Sequence, residues 1–233
     1  MDKLISIIIP AINEAKHLAK LIPYLKENAG PHLAEIILVD GGSKDASIDI
    51  AESAGAVVIN SPLRRRSVQM NLAAKNATGD ILYFLHADTF PPPQYAFDIV
   101  TYFEQGFPVG CYRFKFDSDK WYLRINIYMT RFDYPWCRGG DQSLYVDKAI
   151  FNEFGGYRED YIIMEEYDFM EKVREKYPFK IMPDDILVSA RKYEMNGYWK
   201  VQWANFTAFR KYRSGKSQQE IFDTYHRMLK HRM

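Results

Sequence analysis

Only two cysteines occur in 233 residues, Cys111 and Cys137, and they form no C-x-x-C pair. Neither a disulfide scaffold nor a structural zinc site is expected, and the usage fits reduced thiols in the cytoplasm. Long apolar runs are missing too: no stretch reaches the roughly 18 apolar residues of a membrane-spanning helix. The opening run from Leu4 to Ile9 is closed by Pro10, too short for a secretory leader, and reads as a buried strand. Any membrane contact is expected to be peripheral, on the inner face. The chain also lacks charge of one sign. Against 30 Asp and Glu stand 31 Lys and Arg, a formal net charge of +1, which argues against a nucleic-acid binder and makes any anion site local. There is no GxGxxG after any expected strand, which argues against a dinucleotide-dependent dehydrogenase. There is also no internal repeat or flexible linker.

What the sequence does contain, in its first ninety residues, is alternation. Short β-rich runs (Leu4 to Ile9, Glu35 to Val39, Ala56 to Ile59, Ile81 to Leu85) are separated by amphipathic stretches at 13–28, 45–54 and 65–77. That rhythm predicts βαβ units and a mainly parallel sheet. Leu18, Leu21, Ile22 and Leu25 recur at helical spacing, so one face of the first helix should pack on the sheet. After Phe90 the character changes: Pro91-Pro92-Pro93 breaks the alternation and aromatic residues become dense from Tyr112 to Trp136. The expectation is one domain over 1–233, with a nucleotide-binding half (1–90) and an acceptor half (91–233) that packs on the same sheet.

In an open α/β sheet ligands bind beyond the carboxyl ends of the strands, and polar residues cluster at those ends here. Pro10-Ala11-Ile12-Asn13-Glu14 ends the first run, Asp40-Gly41-Gly42-Ser43-Lys44-Asp45 the second and His86-Ala87-Asp88 the fourth. Asp40 reads either as a helix cap or, if Ser43 or Asp45 serves that cap, as a carboxylate left for a base NH or ribose hydroxyl. Asp88 is suited to Mg²⁺ or Mn²⁺, hard ions that prefer oxygen donors. His86, two residues earlier, should point to the same side of an extended chain, as a ligand or as a hydrogen-bonding neighbour. The run Arg64-Arg65-Arg66 opens the third helix, where backbone NH groups favour a diphosphate; its bland reading is a solvated basic turn. Arg66, Gln69 and Asn71 cannot share one helical face, so not all three should touch a ligand. Glu165-Glu166-Tyr167-Asp168 begins another helix, where carboxylates either cap the dipole or supply a general base.

These segments, together with Gly140-Asp141-Gln142, resemble family 2 glycosyltransferases of the GT-A fold in order and spacing, most closely a small branch without membrane spans. The resemblance implies an α/β, Rossmann-like, mainly parallel mixed sheet flanked by helices, with a helical C-terminal part. It implies inverting transfer of a sugar from a UDP- or GDP-type nucleoside-diphosphate sugar to a sugar or lipid-linked acceptor. By that resemblance Pro10, Glu14, Asp40 and Arg66 hold the nucleotide, Asp88 with His86 the divalent metal, Asp141 and Gln142 the transferred sugar or acceptor, and Arg191 a phosphate. Glu166, beside Glu165, is the general base. Two departures stand out: His86 occupies a position where many members carry the first Asp of a DxD-type motif, and Glu166 one where Asp is usual.

Near the C-terminus, Tyr198, Trp199, Trp203, Phe206 and Phe209 recur near helical spacing among Lys200, Arg210, Lys211 and Arg213. Core packing by an amphipathic helix is the simpler reading, and docking at a membrane interface the sharper one. Two rival functions share the architecture. A sugar nucleotidyltransferase should carry a glycine-rich phosphate loop after the first strand, where this chain has Pro10-Ala11-Ile12-Asn13-Glu14. A catalytically silent nucleotide-sugar-binding or scaffold protein is distinguished from an enzyme only by turnover.

Overall fold

β1 (Ile5–Ala11) is buried along its whole length, because it lies between two parallel neighbours and is covered on both faces. This is why its sequence is a continuous apolar run and not an alternating one. The computed structural model describes residues 3–134, 137 and 142–230. In its first half β1 is followed by α1 (Ala15–Asn28), β2 (Leu33–Asp40), α2 (Ser47–Ser53), β3 (Val57–Asn60), α3 (Arg66–Asn76) and β4 (Ile81–Phe84). As the spacing predicts, α1 buries Leu18, Leu21, Ile22 and Leu25. Side chains of β1 divide by the pleat: Ile5, Ile7 and Ile9 enter the core beneath α1, while Ile8 enters the opposite core with Met70, Ala73 and Ala74 of α3.

The second half adds β5 (Thr89–Phe90), α4 (Tyr95–Glu104), β6 (Val109–Phe116), α5 (Leu123–Met129), β7 (Leu144–Asp147), α6 (Lys148–Glu153), α7 (Glu165–Arg174), β8 (Phe179–Val188), α8 (Arg191–Asn196), α9 (Tyr198–Arg213) and α10 (Gln218–Met228). All eight strands join one sheet in the order β3-β2-β1-β4-β7-β6-β8-β5. The sheet is more mixed than its first half suggests. β7 enters antiparallel between β4 and β6, β6 runs parallel to β8, and the short β5 pairs antiparallel with β8 at the far edge. The β6–β7 approach is close: a side chain at Gly110 would place its Cβ 2.6 Å from the carbonyl oxygen of Lys180 and from the ring of Tyr145.

Two features position the site. The carboxyl ends of β1, β2 and β4 share one edge. Beyond β4 the chain then crosses to the far edge to form β5, so His86 and Asp88 lie on the crossing segment. α9 departs from the simpler expectation. It buries the small side chains Val201, Ala204 and Ala208, while Trp199, Trp203 and Phe206 face outward, because close helix packing is made through the small residues. Among the described residues no helix is long and apolar enough to cross a membrane, and both cysteines are buried.

Candidate active site

The loops after β1 and β2 are tied to each other. Asn13, in the left-handed region at φ 55°, donates its NH to Ser43 Oγ (2.9 Å) and accepts from the NH of Lys44 (2.7 Å). The NH groups opening α1 are met by side chains of the second loop: Glu14 by Ser47 Oγ (2.9 Å) and Ala15 by Asp45 Oδ2 (3.2 Å). Asp45 also accepts from the NH of Ser47 (3.1 Å), the first residue of α2, from one position before the N-cap Ala46. Asp40 therefore does not cap that helix. Its Oδ2 accepts from the NH groups of Gly42 (2.7 Å) and Ser43 (2.9 Å), while Oδ1 is buried without a hydrogen-bond partner. A buried orphan acceptor of this kind is costly unless something donates to it. Pro10 lies within β1, paired with Val39, one residue before the register pair Ala11 and Asp40.

The basic run divides by role. Arg64 donates to the carbonyls of Gly41 (3.0 Å) and Gly42 (2.9 Å), fixing the glycine turn beside Asp40. Arg65 donates to the carbonyl of Glu159 (2.7 Å). Gln69 and Asn71 are structural: Gln69 donates to the carbonyl of Val39 (2.9 Å), and Asn71 pairs with the backbone of Tyr157 in both directions (2.8 and 2.9 Å). Only Arg66 turns toward the carboxylates.

Arg66 Nε donates to Glu165 Oε1 (3.1 Å), and its Nη1 lies 3.0 Å from His86 Nε2, which is itself 3.8 Å from Glu166 Oε1. Both glutamates are buried, at 1% and 7% exposure, and Glu165 Oε2 has no hydrogen-bond partner. Burial pushes the Glu165 carboxyl above its ordinary value, with the charge of Glu166 adding to the rise and Arg66 opposing it. Glu166 is desolvated too, but His86 and Arg66 outweigh that and hold it below its ordinary value. Adjacent carboxyls driven in opposite directions give one group that is ionised over a wide pH range.

Asp88 belongs to a second cluster. Arg191, at the start of α8, reaches Asp88 Oδ2 (3.0 Å) and Glu14 Oε1 (2.8 Å) with Nη2, and Glu14 Oε2 lies 2.6 Å from His17 Nδ1. His86 and Asp88 thus engage different clusters, although an extended chain would have them share a side. Among the described residues no group of three or more His, Cys, Asp or Glu converges on one point. The donor set fits a cation that takes one carboxylate from the protein and its remaining oxygens from a phosphate ligand and water, as Mg²⁺ and Mn²⁺ do.

Asp141 lies outside the described residues. Gln142 is buried, donating to the carbonyl of Tyr112 (3.2 Å) while its Oε1 has no hydrogen-bond partner. Among the described residues the non-glycine positions with positive φ are Asn13, Ser143 and Met164. Each adjoins a candidate residue: Glu14, Gln142 and Glu165. Backbone held in this sparsely populated region commonly marks a functional site. Sequence reasoning pointed to the basic run but not to Arg64 fixing the glycine turn, and it missed His17 and the lacing of the two loops; the signal available was an Asn at a strand end facing a Ser-Lys-Asp turn.

Residues 6–162 match the family model described as Glycosyl transferase family 2. The undecaprenyl-phosphate 4-deoxy-4-formamido-L-arabinose transferase of Pseudomonas syringae is 32% identical over 117 residues, 46% of this chain and 34% of that protein. The chain thus matches about a third of the length of that relative. Among solved structures, the mannosyltransferase PcManGT of Pyrobaculum calidifontis, in complex with GDP-Man and Mn²⁺, superposes with a TM-score of 0.70 at 17% identity, over 97% of this chain and 69% of that one. S. aureus TarS 1–349 in complex with UDP-GlcNAc superposes with a TM-score of 0.65 at 16% identity, over 81% and 59%. These structures share the fold, and the family match spans most of the chain, including β1, Asp40, Arg66, His86 and Asp88: the chain belongs to glycosyl transferase family 2.

Proposed function

We infer that the protein transfers a sugar from a nucleoside-diphosphate sugar to an acceptor hydroxyl, with inversion at the anomeric carbon. The observation that carries this is the convergence of two unlike clusters at one sheet edge: a buried carboxylate pair held by Arg66, and the cation-suited Asp88 bridged to Glu14 by Arg191. The orphan Asp40 Oδ1 supports a role for this carboxylate in accepting from a base NH or a ribose hydroxyl, with Pro10 on the neighbouring strand and Glu14 on the loop that follows it.

In this reading Glu166 accepts the proton of the acceptor hydroxyl while its oxygen attacks the anomeric carbon, and the bond to the diphosphate breaks. General-base assistance is worth about 10² to 10⁴-fold. Arg66 and Arg191 stabilise charge developing on the leaving diphosphate. A divalent cation on Asp88, Mn²⁺ or Mg²⁺, would neutralise that diphosphate further; the presence of both GDP-Man and Mn²⁺ in the P. calidifontis complex supports this. His86 acts by positioning Arg66 and Glu166. Gln142, and Asp141 next to it in sequence, would line the sugar or acceptor. The lipid phosphate in the name of the P. syringae relative supports a lipid-linked acceptor.

The test is a nucleotide-sugar panel scored by release of nucleoside diphosphate, with and without Mn²⁺ and across sugar and polyprenyl-phosphate acceptors. Turnover that needs both donor and cation is expected, and it should fall to background in Asp88→Asn. Donor binding without turnover under every condition would support the silent nucleotide-sugar-binding reading instead.

A further inference from the structure

One surface plays no part in the site. The turn into α5 and that helix expose Trp121, Ile125 and Tyr128, at intervals of four and three residues, and α9 exposes Trp199, Trp203 and Phe206 at the same intervals. The exposures are large: 73% for Trp121, 80% for Trp199 and 63% for Trp203. The two stripes flank one contact between the helices, with Tyr122 against Tyr198. Between them, Gln202 donates to Asn126 (2.9 Å), as does the Tyr198 hydroxyl (3.1 Å), while each helix buries its opposite side, α5 through Leu123 and α9 through Val201, Ala204 and Ala208. Single exposed apolar residues are ordinary, but two aromatic stripes on adjoining helices form a patch of the kind that marks an interaction surface.

Charge identifies what covers it. No Asp or Glu occurs from Lys120 to Phe132 or from Met195 to Gln219, whereas across the rest of the chain acidic residues outnumber basic ones. Arg124, Arg131, Lys200 and Arg210, all exposed, rim the aromatic stripes. Acidic groups stand only at the ends of the patch, where Glu194 pairs with Lys120 (3.9 Å) and Asp133 with Arg174; an aromatic face with a mainly cationic rim complements an anionic lipid surface, where rings sit at headgroup level and cations meet phosphates. It does not complement itself: a twofold contact between copies brings the same patch to both sides and sets cation against cation.

We propose that the α5–α9 face docks on an anionic phospholipid bilayer. The docking rests on the fold and the charge distribution alone. Its consequence for transfer rests on the function inferred above. α9 borders the site at both ends, with Tyr198 stacked on Tyr193 of α8 and Phe209 against Tyr167, the neighbour of Glu166. A bilayer on this face therefore lies beside the carboxylates, where a lipid-linked acceptor can present its hydroxyl or phosphate.

The experiment is co-sedimentation of the full chain with phosphatidylglycerol and phosphatidylcholine vesicles, alongside sedimentation velocity without lipid. Saturable binding to phosphatidylglycerol vesicles, weakened by salt and much lower on phosphatidylcholine, is expected. The double variant Trp199→Ser with Trp203→Ser should bind at least about tenfold more weakly, since each buried ring contributes more than that factor. Lys200→Glu with Arg210→Glu should lose most of the preference for the anionic lipid. Quenching of wild-type tryptophan fluorescence by brominated phosphatidylglycerol reads insertion without relying on a variant. Absence of binding, or binding unchanged in both double variants, would overturn the proposal. A lipid-independent dimer abolished by Trp199→Ser with Trp203→Ser, without vesicle binding, would overturn it in favour of a second copy. Vesicle binding without diphosphate release would leave docking intact while removing the transfer reading.

Discussion

Arg191 forms an ion pair with Asp88, its Nη2 3.0 Å from Oδ2, although the two residues lie on opposite sides of β6, β7 and β8 in the chain. The guanidinium neutralises Asp88 and Glu14 together, and in the proposed function a bound diphosphate would compete for it.

Cation binding should therefore depend on the nucleotide. For wild type, Mn²⁺ titrated calorimetrically is expected to bind weakly alone and tightly with nucleoside diphosphate. Arg191→Ala should improve binding of Mn²⁺ alone by up to about fivefold, the scale of a partly exposed ion pair, and weaken diphosphate binding by about tenfold or more through the lost charged hydrogen bonds. Unchanged values in both titrations would remove Arg191 from the phosphate site.

Glu166→Gln keeps the shape of the side chain and removes its basicity. Turnover is expected to fall by about 10² to 10⁴-fold, with nucleotide affinity within about twofold of wild type by equilibrium dialysis, because the donor's contacts are assigned elsewhere. Transfer at the wild-type rate would move the base to Glu165 or Asp168.

The pH profile offers a separate check on the same residue. Burial raises the Glu166 carboxyl, but His86 and Arg66 more than offset that, so its folded value lies below the ordinary one. A base must be ionised to act, so the acid limb of kcat/KM should fall below the usual glutamate range. His86→Ala removes one of the lowering influences and should shift that limb upward. A profile identical to wild type would mean that His86 does not act on Glu166. Stability follows the same sign: what the lowered Glu166 carboxyl contributes is present above its unfolded value and lost as pH falls through the folded one. Glu165, raised by burial, opposes it.

Gly110→Ala tests the close approach of β6 to its neighbours. The added Cβ would meet the Lys180 carbonyl at 2.6 Å, and backbone in mid-sheet cannot move aside as a flexible side chain can. A loss of about 1 to 3 kcal/mol is expected, read as a lower midpoint in urea with an unchanged slope.

Much of this architecture was legible before folding. The continuous run Ile7-Ile8-Ile9 closed by Pro10 read as a buried strand, the 3.6-residue recurrence of Leu18, Leu21, Ile22 and Leu25 as a helix with its buried side, and the strand-end position of Asp40 and Asp88 followed from the βαβ rhythm. Local patterns carry that information because period and burial are properties of neighbouring residues. Other features are set by residues distant in sequence. Entry of β7 as an antiparallel strand brings Gln142 close to the sheet's middle, and α7 sets Glu165 against Arg66 across 99 positions. Arg191 reaches Glu14 across 177. The outward turn of Trp199, Trp203 and Phe206 was likewise undecidable from spacing alone, since a periodic aromatic stripe reads the same whether it faces a core or a surface. The tertiary structure decided it, by giving the buried side of α9 to Val201, Ala204 and Ala208, where small side chains let the helix pack closely.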